Sequence, residues 1–385
     1  MSLINRFFNP PERSFFLFGP RGTGKSTWMK SRYPDALYID LLTPAILQSY
    51  LAQPGRLIDL IRDNPEKKQI IIDEVQQAPS LLSIVHQEIE KKQGIQFILT
   101  GSSARKLKRT SADLLGGRAL KRELHPFMAA ELGELFHLET ALQQGLLPLV
   151  TGQKDAADIL HGYISLYLHE EVQMEGLVRN IENFSRFLEV ISFSHAGLLN
   201  VANIARDCMV KRKTVENYIA ILEELLLAYQ IPIFSKRAKR ELSAHPKFYL
   251  FDSGVYYALR PRGPLDRIDE INGASLEGLI AAHLRAWNDY STEKHGIHFW
   301  RTRSGVEVDF IVYGPQGFWA IEVKNSKRVT QEDIKGLNTF LIDYPEAQAI
   351  LLYRGTEVFR RGKVLCIPCA LFLQQLIPDN QLIVI

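Results

Sequence analysis

Cysteine is scarce in this chain: Cys208, Cys366 and Cys369 are the only three. Three thiols cannot build a disulfide framework, and such sparing use suits a reducing compartment. Cys366-Ile367-Pro368-Cys369 has the spacing of half a metal site, but no second pair answers it. It lies in an apolar stretch, so both thiols are expected to pack rather than hold zinc. Long apolar runs are missing too. No stretch reaches the ~18 residues that a membrane helix needs, and residues 1–9 lack an apolar core behind positive charge. Neither a membrane span nor a signal peptide is expected, and the expected location is cytoplasmic. Charge of one sign is also lacking, since 46 Lys and Arg against 43 Asp and Glu leave +3. That permits a nucleic-acid partner without demanding one, because clustering matters more than the total.

What is present is the composition of a globular protein, 46% hydrophobic and 23% charged over 385 residues. That length is large for one core, so two or three domains are expected. Ser14-Phe15-Phe16-Leu17-Phe18 reads as a buried parallel strand. It runs into Gly19-Pro20-Arg21-Gly22-Thr23-Gly24-Lys25-Ser26, a full match to G-x-x-x-x-G-K-[ST], and Thr27 begins a helix. Glycines let successive N–H groups turn inward around phosphate oxygens, and the helix start adds positive potential. Lys25 brings a mobile charge for the β- and γ-phosphates, and the Ser26 hydroxyl is a Mg²⁺ ligand. The expected cofactors are therefore ATP and Mg²⁺.

A second apolar strand, Gln69 to Ile72, ends in Asp73-Glu74. Set beside the P-loop strand, it brings Asp73 to Mg²⁺ and Glu74 to the attacking water as the catalytic base. A third strand, Ile95 to Leu99, ends in Thr100-Gly101-Ser102-Ser103. Ser102 is taken as a γ-phosphate contact, with a plain strand-to-helix turn as the other reading. Tyr38-Ile39-Asp40 is a further short strand, and Asp40 either faces the site or caps the next turn. Between Ser102 and Arg122 seven bases (Arg105, Lys106, Lys108, Arg109, Arg118, Lys121, Arg122) meet one acid, Asp113. Arg118 is a candidate catalytic finger, within the chain or across a subunit contact, and an oligomer is possible through it. A solvated loop or a phosphate-backbone contact explains the same run.

Gly19–Ser26, Ile70–Glu74, Leu99–Ser102 and Leu115–Arg118 together resemble AAA-type ATPases of an archaeal and bacterial branch. Tyr249 to Leu259, with the C-terminal motifs described next, looks like the domain that accompanies that ATPase in bacteria. The resemblance implies an ATPase core, a winged-helix-like middle and a nuclease-like end.

After about Gly145 the pattern turns helical. Phe184, Phe187, Leu188 and Ile191 recur at helical spacing, Val201 to Cys208 forms a short second helix, and Val215 to Tyr229 forms a longer amphipathic one. Two short helices and a longer one suggest a helix-turn-helix. Ile231 to Phe251 then reads as a hairpin with a basic tip, Lys236, Arg237, Lys239 and Arg240. With Lys211, Arg212 and Lys213 at the start of the third helix, these are the points where such a module meets DNA phosphates. A packing domain with solvated lysines accounts for the same residues.

Near the C-terminus, Ala274 to Tyr290 reads as a helix carrying Glu277. His298 to Arg301, Val306 to Val312 and Phe318 to Lys324 read as strands, followed by a helix from Gln331 to Phe340. Glu322 and Lys324 are two residues apart and share one strand face, with Asp309 on the neighbouring strand. Such charges are costly in an apolar core and make sense around a metal. Asp309 and Glu322 suit Mg²⁺, with Lys324 orienting a water or the leaving phosphate and Glu277 as an outer ligand. The set resembles the nuclease superfamily defined by an Asp and a Glu-x-Lys triplet, with Gln331 a looser candidate. The resulting expectation is an α/β chain of three parts. Residues 1–145 form an AAA-type P-loop ATPase domain with a parallel sheet, residues 146–260 a helical winged-helix-like domain, and residues 261–385 a small α/β restriction-endonuclease-like domain. The expected activity is ATP hydrolysis coupled to a DNA-binding region that cuts with Mg²⁺. The alternative is an ATP-driven switch in signalling or defence whose C-terminal domain binds partners or nucleic acid without cutting.

Overall fold

The computed structural model describes residues 4–101, 116–168, 180–235 and 245–382. Ser102, the bases from Arg105 to Arg109 and those from Lys236 to Arg240 lie outside the described residues. The chain forms two compact units: Phe8–His125 with Leu222–Leu227, and Met1–Phe7 with Pro126–Ile221 and Ala228–Ile385.

The first unit is built on a five-stranded parallel sheet of β1 (Phe15–Phe18), β2 (Leu37–Asp40), β3 (Gln69–Asp73), β4 (Gln96–Gly101) and β5 (Leu120–Glu123), in the order β2-β3-β4-β1-β5. A parallel strand covered on both faces has no polar side, hence the unbroken runs Phe15 to Phe18 and Ile70 to Ile72. On one face Phe16, Phe18, Ile70, Ile72, Phe97 and Leu99 meet Leu57, Ile61, Leu81, Leu82 and Val85. The helix Arg56–Asp63 contributes Leu57 and Ile61, four residues apart and so on one side. Each such side chain contributes ~1.5–3 kcal/mol on burial.

The strand order corrects one expectation. β3 is not the neighbour of β1; β4 lies between them and pairs in parallel with both. All three strands are apolar on both faces, so their residue pattern carries no information about which is central. The inserted strand brings Thr100 to the tip of the sheet beside Asp73.

The second unit holds the helices Ile181–Ser192 and Val201–Asp207, most of the helix Arg212–Glu224, and a three-stranded antiparallel sheet of β6 (Gly197–Leu198), β7 (Ala228–Ile231) and β8 (Lys247–Leu250), in the order β6-β8-β7. Asn180 and Asn200 cap the first two helices by accepting from the N–H groups of Asn183 and Asn203. The third helix stops at Glu224, short of the expected Tyr229, which lies in β7. Its end is marked by Leu226 in the left-handed region, φ 60°, and by a bond from Leu227 N–H to Leu222 O of 2.8 Å. Glycine usually takes that position, so no residue type announced the stop.

The rest of the unit is a six-stranded sheet of β9 (Gly296–Arg301), β10 (Glu307–Gly314), β11 (Gly317–Lys324), β12 (Gln348–Tyr353), β13 (Phe359–Arg361) and β14 (Val364–Pro368), ordered β13-β14-β12-β11-β10-β9. The long helix Ile268–Tyr290 and the helix Lys335–Asp343 accompany it. The latter begins later than expected, after a short 3-10 turn at Glu332–Ile334. Gly336 lets this helix approach β10, because a Cβ there would stand 2.2 Å from the Glu307 carbonyl oxygen. Cys366 and Cys369 are buried in the apolar interior, and burial pushes the Cys369 thiol up to about 12. Among the described residues no helix is long and apolar enough to cross a membrane.

Two buried histidines make this unit acid-sensitive. His283 Nε2 accepts from Ala129 N–H at 2.9 Å, and His195 Nδ1 accepts from Leu250 N–H at 3.0 Å. Burial lowers them to about 4 and about 3. Each is neutral when folded, while the unfolded chain takes its protons near pH 6.5. Stability is therefore complete above that pH and falls as pH drops toward 4, by on the order of 3 kcal/mol for His283. Urea denaturation at pH 7 and pH 4.5 should show a shallower acid loss in His283→Gln than in the wild type; equal losses would remove His283 as the cause.

Candidate functional site

The loop Gly19–Gly24 joins β1 to the helix Lys25–Arg32. Gly22 and Gly24 have φ of 83° and 85°, a left-handed backbone that costs other residues ~1–2 kcal/mol each. Pro20 and Thr23 are buried beneath the loop, whereas Arg21 and Thr27 are exposed. Thr23 Oγ1 donates to Pro20 O at 2.8 Å and fixes the turn. Lys25, 6% exposed, curls back so that Nζ donates to Gly19 O at 2.6 Å and Pro20 O at 3.1 Å. The ammonium is thus held by carbonyls of the loop itself.

Ser26, at the start of the same helix, donates through Oγ to Asp73 Oδ2 at 2.7 Å. Tyr38 donates to the same oxygen and Thr100 donates to Asp73 Oδ1. Burial first, then Asp73, raises the Tyr38 phenol above its ordinary range. The buried carboxylate at the tip of β3 is therefore oriented by three hydroxyls from three other elements, of which the sequence had pointed only to Ser26. The structure brings Ser26 and Asp73 together, with Lys25 the residue before Ser26. A hydroxyl and a carboxylate oxygen 2.7 Å apart suit a hard cation, which takes oxygen ligands, so this part of the site fits Mg²⁺.

Glu74 has φ 60°, the left-handed region, which non-glycine residues adopt at a cost and which clusters at functional sites. Its N–H donates to Thr100 Oγ1 at 3.0 Å, and its carboxylate accepts from the Gln76 amide. Arg118 lies elsewhere: its guanidinium pairs with Glu90 and holds that carboxyl below its usual range. Asp40 accepts from Leu42 N–H at 2.9 Å and caps a turn.

The C-terminal acids also converge, around a residue that sequence reasoning missed. Lys247 opens β8 and is 2% exposed. Its Nζ stands 2.9 Å from Glu277 Oε1, 2.9 Å from Asp309 Oδ1 and 2.5 Å from Glu307 Oε1. Glu277, on the helix Ile268–Tyr290, also accepts from the Tyr249 hydroxyl at 2.7 Å. Asp309 Oδ2 accepts from Val323 N–H at 2.9 Å, and Glu307 Oε2 meets Arg301 at 3.1 Å. On β11, Lys324 pairs with Glu322 Oε1 at 2.6 Å, while the buried Glu322 Oε2 has no hydrogen-bond partner among the described residues. Burial, with Asp309 beside each, pushes Glu277 up to about 7 and Glu322 up to about 8. For Lys247 burial works downward, but Asp309 and Glu277 outweigh it and hold the ammonium well above its usual range. Gln331 is exposed at the start of its turn. Two signals could have found the missed pair. Glu307 is two residues from Asp309 on one strand, and a lysine heading the apolar run Phe248-Tyr249-Leu250 needs a buried partner.

Comparison with known proteins covers most of the chain in three pieces. A family described as AAA domain matches residues 11–133. Domains of unknown function DUF8612 and DUF4143 match residues 136–266 and 272–372. An uncharacterized protein of Methanocaldococcus jannaschii, MJ1544, is 22% identical over 335 residues, 79% of this chain and 73% of its own. Among solved structures, AMPPCP-bound DnaA from Aquifex aeolicus is 14% identical with a TM-score of 0.29, over 55% of this chain and 82% of that one. The replication initiator DnaA bound to AMPPCP and single-stranded DNA is 14% identical with a TM-score of 0.27, over 56% and 84%. The chain thus carries an AAA domain on a five-stranded parallel sheet, followed by a DUF4143 domain.

Proposed function

We propose that this chain binds ATP with Mg²⁺ and hydrolyses it. The observation that carries the reading is the Ser26 hydroxyl held 2.7 Å from the Asp73 carboxylate, beside a P-loop whose lysine folds back over it. The amides of Gly19 to Thr27 cradle the phosphates, and Lys25 exchanges its two carbonyls for β- and γ-phosphate oxygens. Ser26 and Asp73 hold Mg²⁺, which when bound neutralises charge on those oxygens. Glu74 orients the attacking water and takes its proton, and Ser102 contacts the γ-phosphate. Arg118, paired with Glu90 in its own chain, would act as a finger across a subunit contact. The purified chain should release phosphate from ATP only when Mg²⁺ is present. Release no faster than a protein-free blank would overturn the reading.

The nucleotide state is coupled, in this proposal, to DNA contact by the rest of the chain. The side chains of Arg212 and Lys213 are 69% and 79% exposed and pair with Glu216 at 3.1 Å and 3.5 Å. Surface pairs of this kind are worth ~0–1 kcal/mol and yield readily to a phosphate. Replacing Lys211, Arg212 and Lys213 by Ala should flatten the dependence of log affinity on log salt by about 1 for each phosphate left without its cation. An unchanged slope would remove this helix from the DNA interface.

Of the two outcomes downstream, cutting or binding alone, the Lys247 ammonium among Glu277, Glu307 and Asp309 favours the switch that binds without cutting. Plasmid incubated with the protein, ATP and Mg²⁺ or Mn²⁺ should stay intact. Nicking that disappears in Asp309→Ala and Glu322→Ala would restore Asp309, Glu322 and Lys324 as a catalytic set.

A further inference from the structure

We infer that Lys247 is the resident cation of the C-terminal acidic cluster, and that its ammonium takes the position a divalent metal would otherwise fill. The inference concerns the C-terminal site alone and stands apart from the ATP reading. Three carboxylates from two elements, Glu277 from the long helix and Glu307 and Asp309 from β10, aim at one nitrogen at 2.5–2.9 Å. That radius suits N–H···O bonds to an ion, whereas Mg²⁺ demands oxygens at ~2.0–2.1 Å in a near-octahedral shell.

The lysine is fixed rather than a surface chain that has swung in. Its Cα is paired to Ile231 on one side and Leu198 on the other, in the central strand of the three-stranded sheet. The charge count agrees. Lys247, Arg301 and Lys324 set three positive charges against Glu277, Glu307, Asp309 and Glu322. One negative charge remains, which a divalent ion overshoots. Glu322 Oε2 is buried and, among the described residues, has no hydrogen-bond partner.

Without the ammonium the same acids become a hard-cation cage, since Glu277, Glu307 and Asp309 offer only oxygen. The test is Mn²⁺ titration of the nucleotide-free full chain, followed by electron paramagnetic resonance. Wild type and Asp309→Asn should bind Mn²⁺ alike. A wild-type Mn²⁺ site lost in Asp309→Asn but kept in Asp73→Asn would overturn the inference. Lys247→Ala should gain one Mn²⁺ site, lost again when Asp309→Asn is added. A folded Lys247→Ala that gains none would equally overturn it. Should that variant fail to fold, the comparison of wild type with Asp309→Asn decides alone.

Discussion

Replacing Glu74 by Gln is expected to lower ATP turnover by ~10²–10⁴-fold while leaving nucleotide affinity near the wild-type value. The amide keeps the shape of the side chain and can still meet Gln76, and the bond to Thr100 Oγ1 comes from the residue 74 backbone N–H, which the substitution leaves in place. What the substitution removes is the ability to take a proton from water. Neither Lys25 nor the Ser26–Asp73 pair is disturbed, so phosphate and Mg²⁺ binding persist. Phosphate release measured beside binding of a fluorescent ATP analogue separates the two quantities. Loss of affinity as large as that in Lys25→Ala would show that Glu74 holds the nucleotide and is not the base.

Replacing Lys247 by Met is expected to cost ~3–5 kcal/mol of stability near neutral pH, because three carboxylates lose their buried counter-charge together. The thioether fills most of the lysine's volume, so cavity formation contributes little. The loss should shrink when Glu277→Gln and Asp309→Asn are added, since the unpaired charge then goes. Lys213→Met, at an exposed position, should stay within about 0.5 kcal/mol of wild type. Urea denaturation reads all three. A loss below about 1 kcal/mol in Lys247→Met alone would mean that the cluster is hydrated and the ammonium dispensable.

The contrast between the two sites explains what the sequence disclosed. Gly19 to Ser26 is contiguous, each residue type has its own physical duty, and the buried strand ahead of the loop is read from its apolar run. Asp73 was legible for the same reason, as the end of such a run. Its hydroxyl partners Tyr38 and Thr100 were not, because strand order decides who meets Asp73 and apolar strands do not encode order. In the C-terminal half, Asp309, Glu322 and Lys324 followed from the two-residue period of a hairpin. Lys247 is far from them along the chain and reaches them only through the three-stranded sheet. A lone charge within an apolar strand signals that a partner exists without saying which. The left-handed Leu226, which ends a helix where glycine normally would, left no mark in residue type at all.

Titration calorimetry of ATP·Mg²⁺ into the full-length chain tests the central claim most directly. The account predicts a saturable heat with one site per chain, weakened ~100-fold or more in Lys25→Ala, where a charged partner of the phosphates is removed. A well-folded wild type that gives no heat above dilution across several temperatures, or a Lys25→Ala variant that binds as tightly, would contradict it.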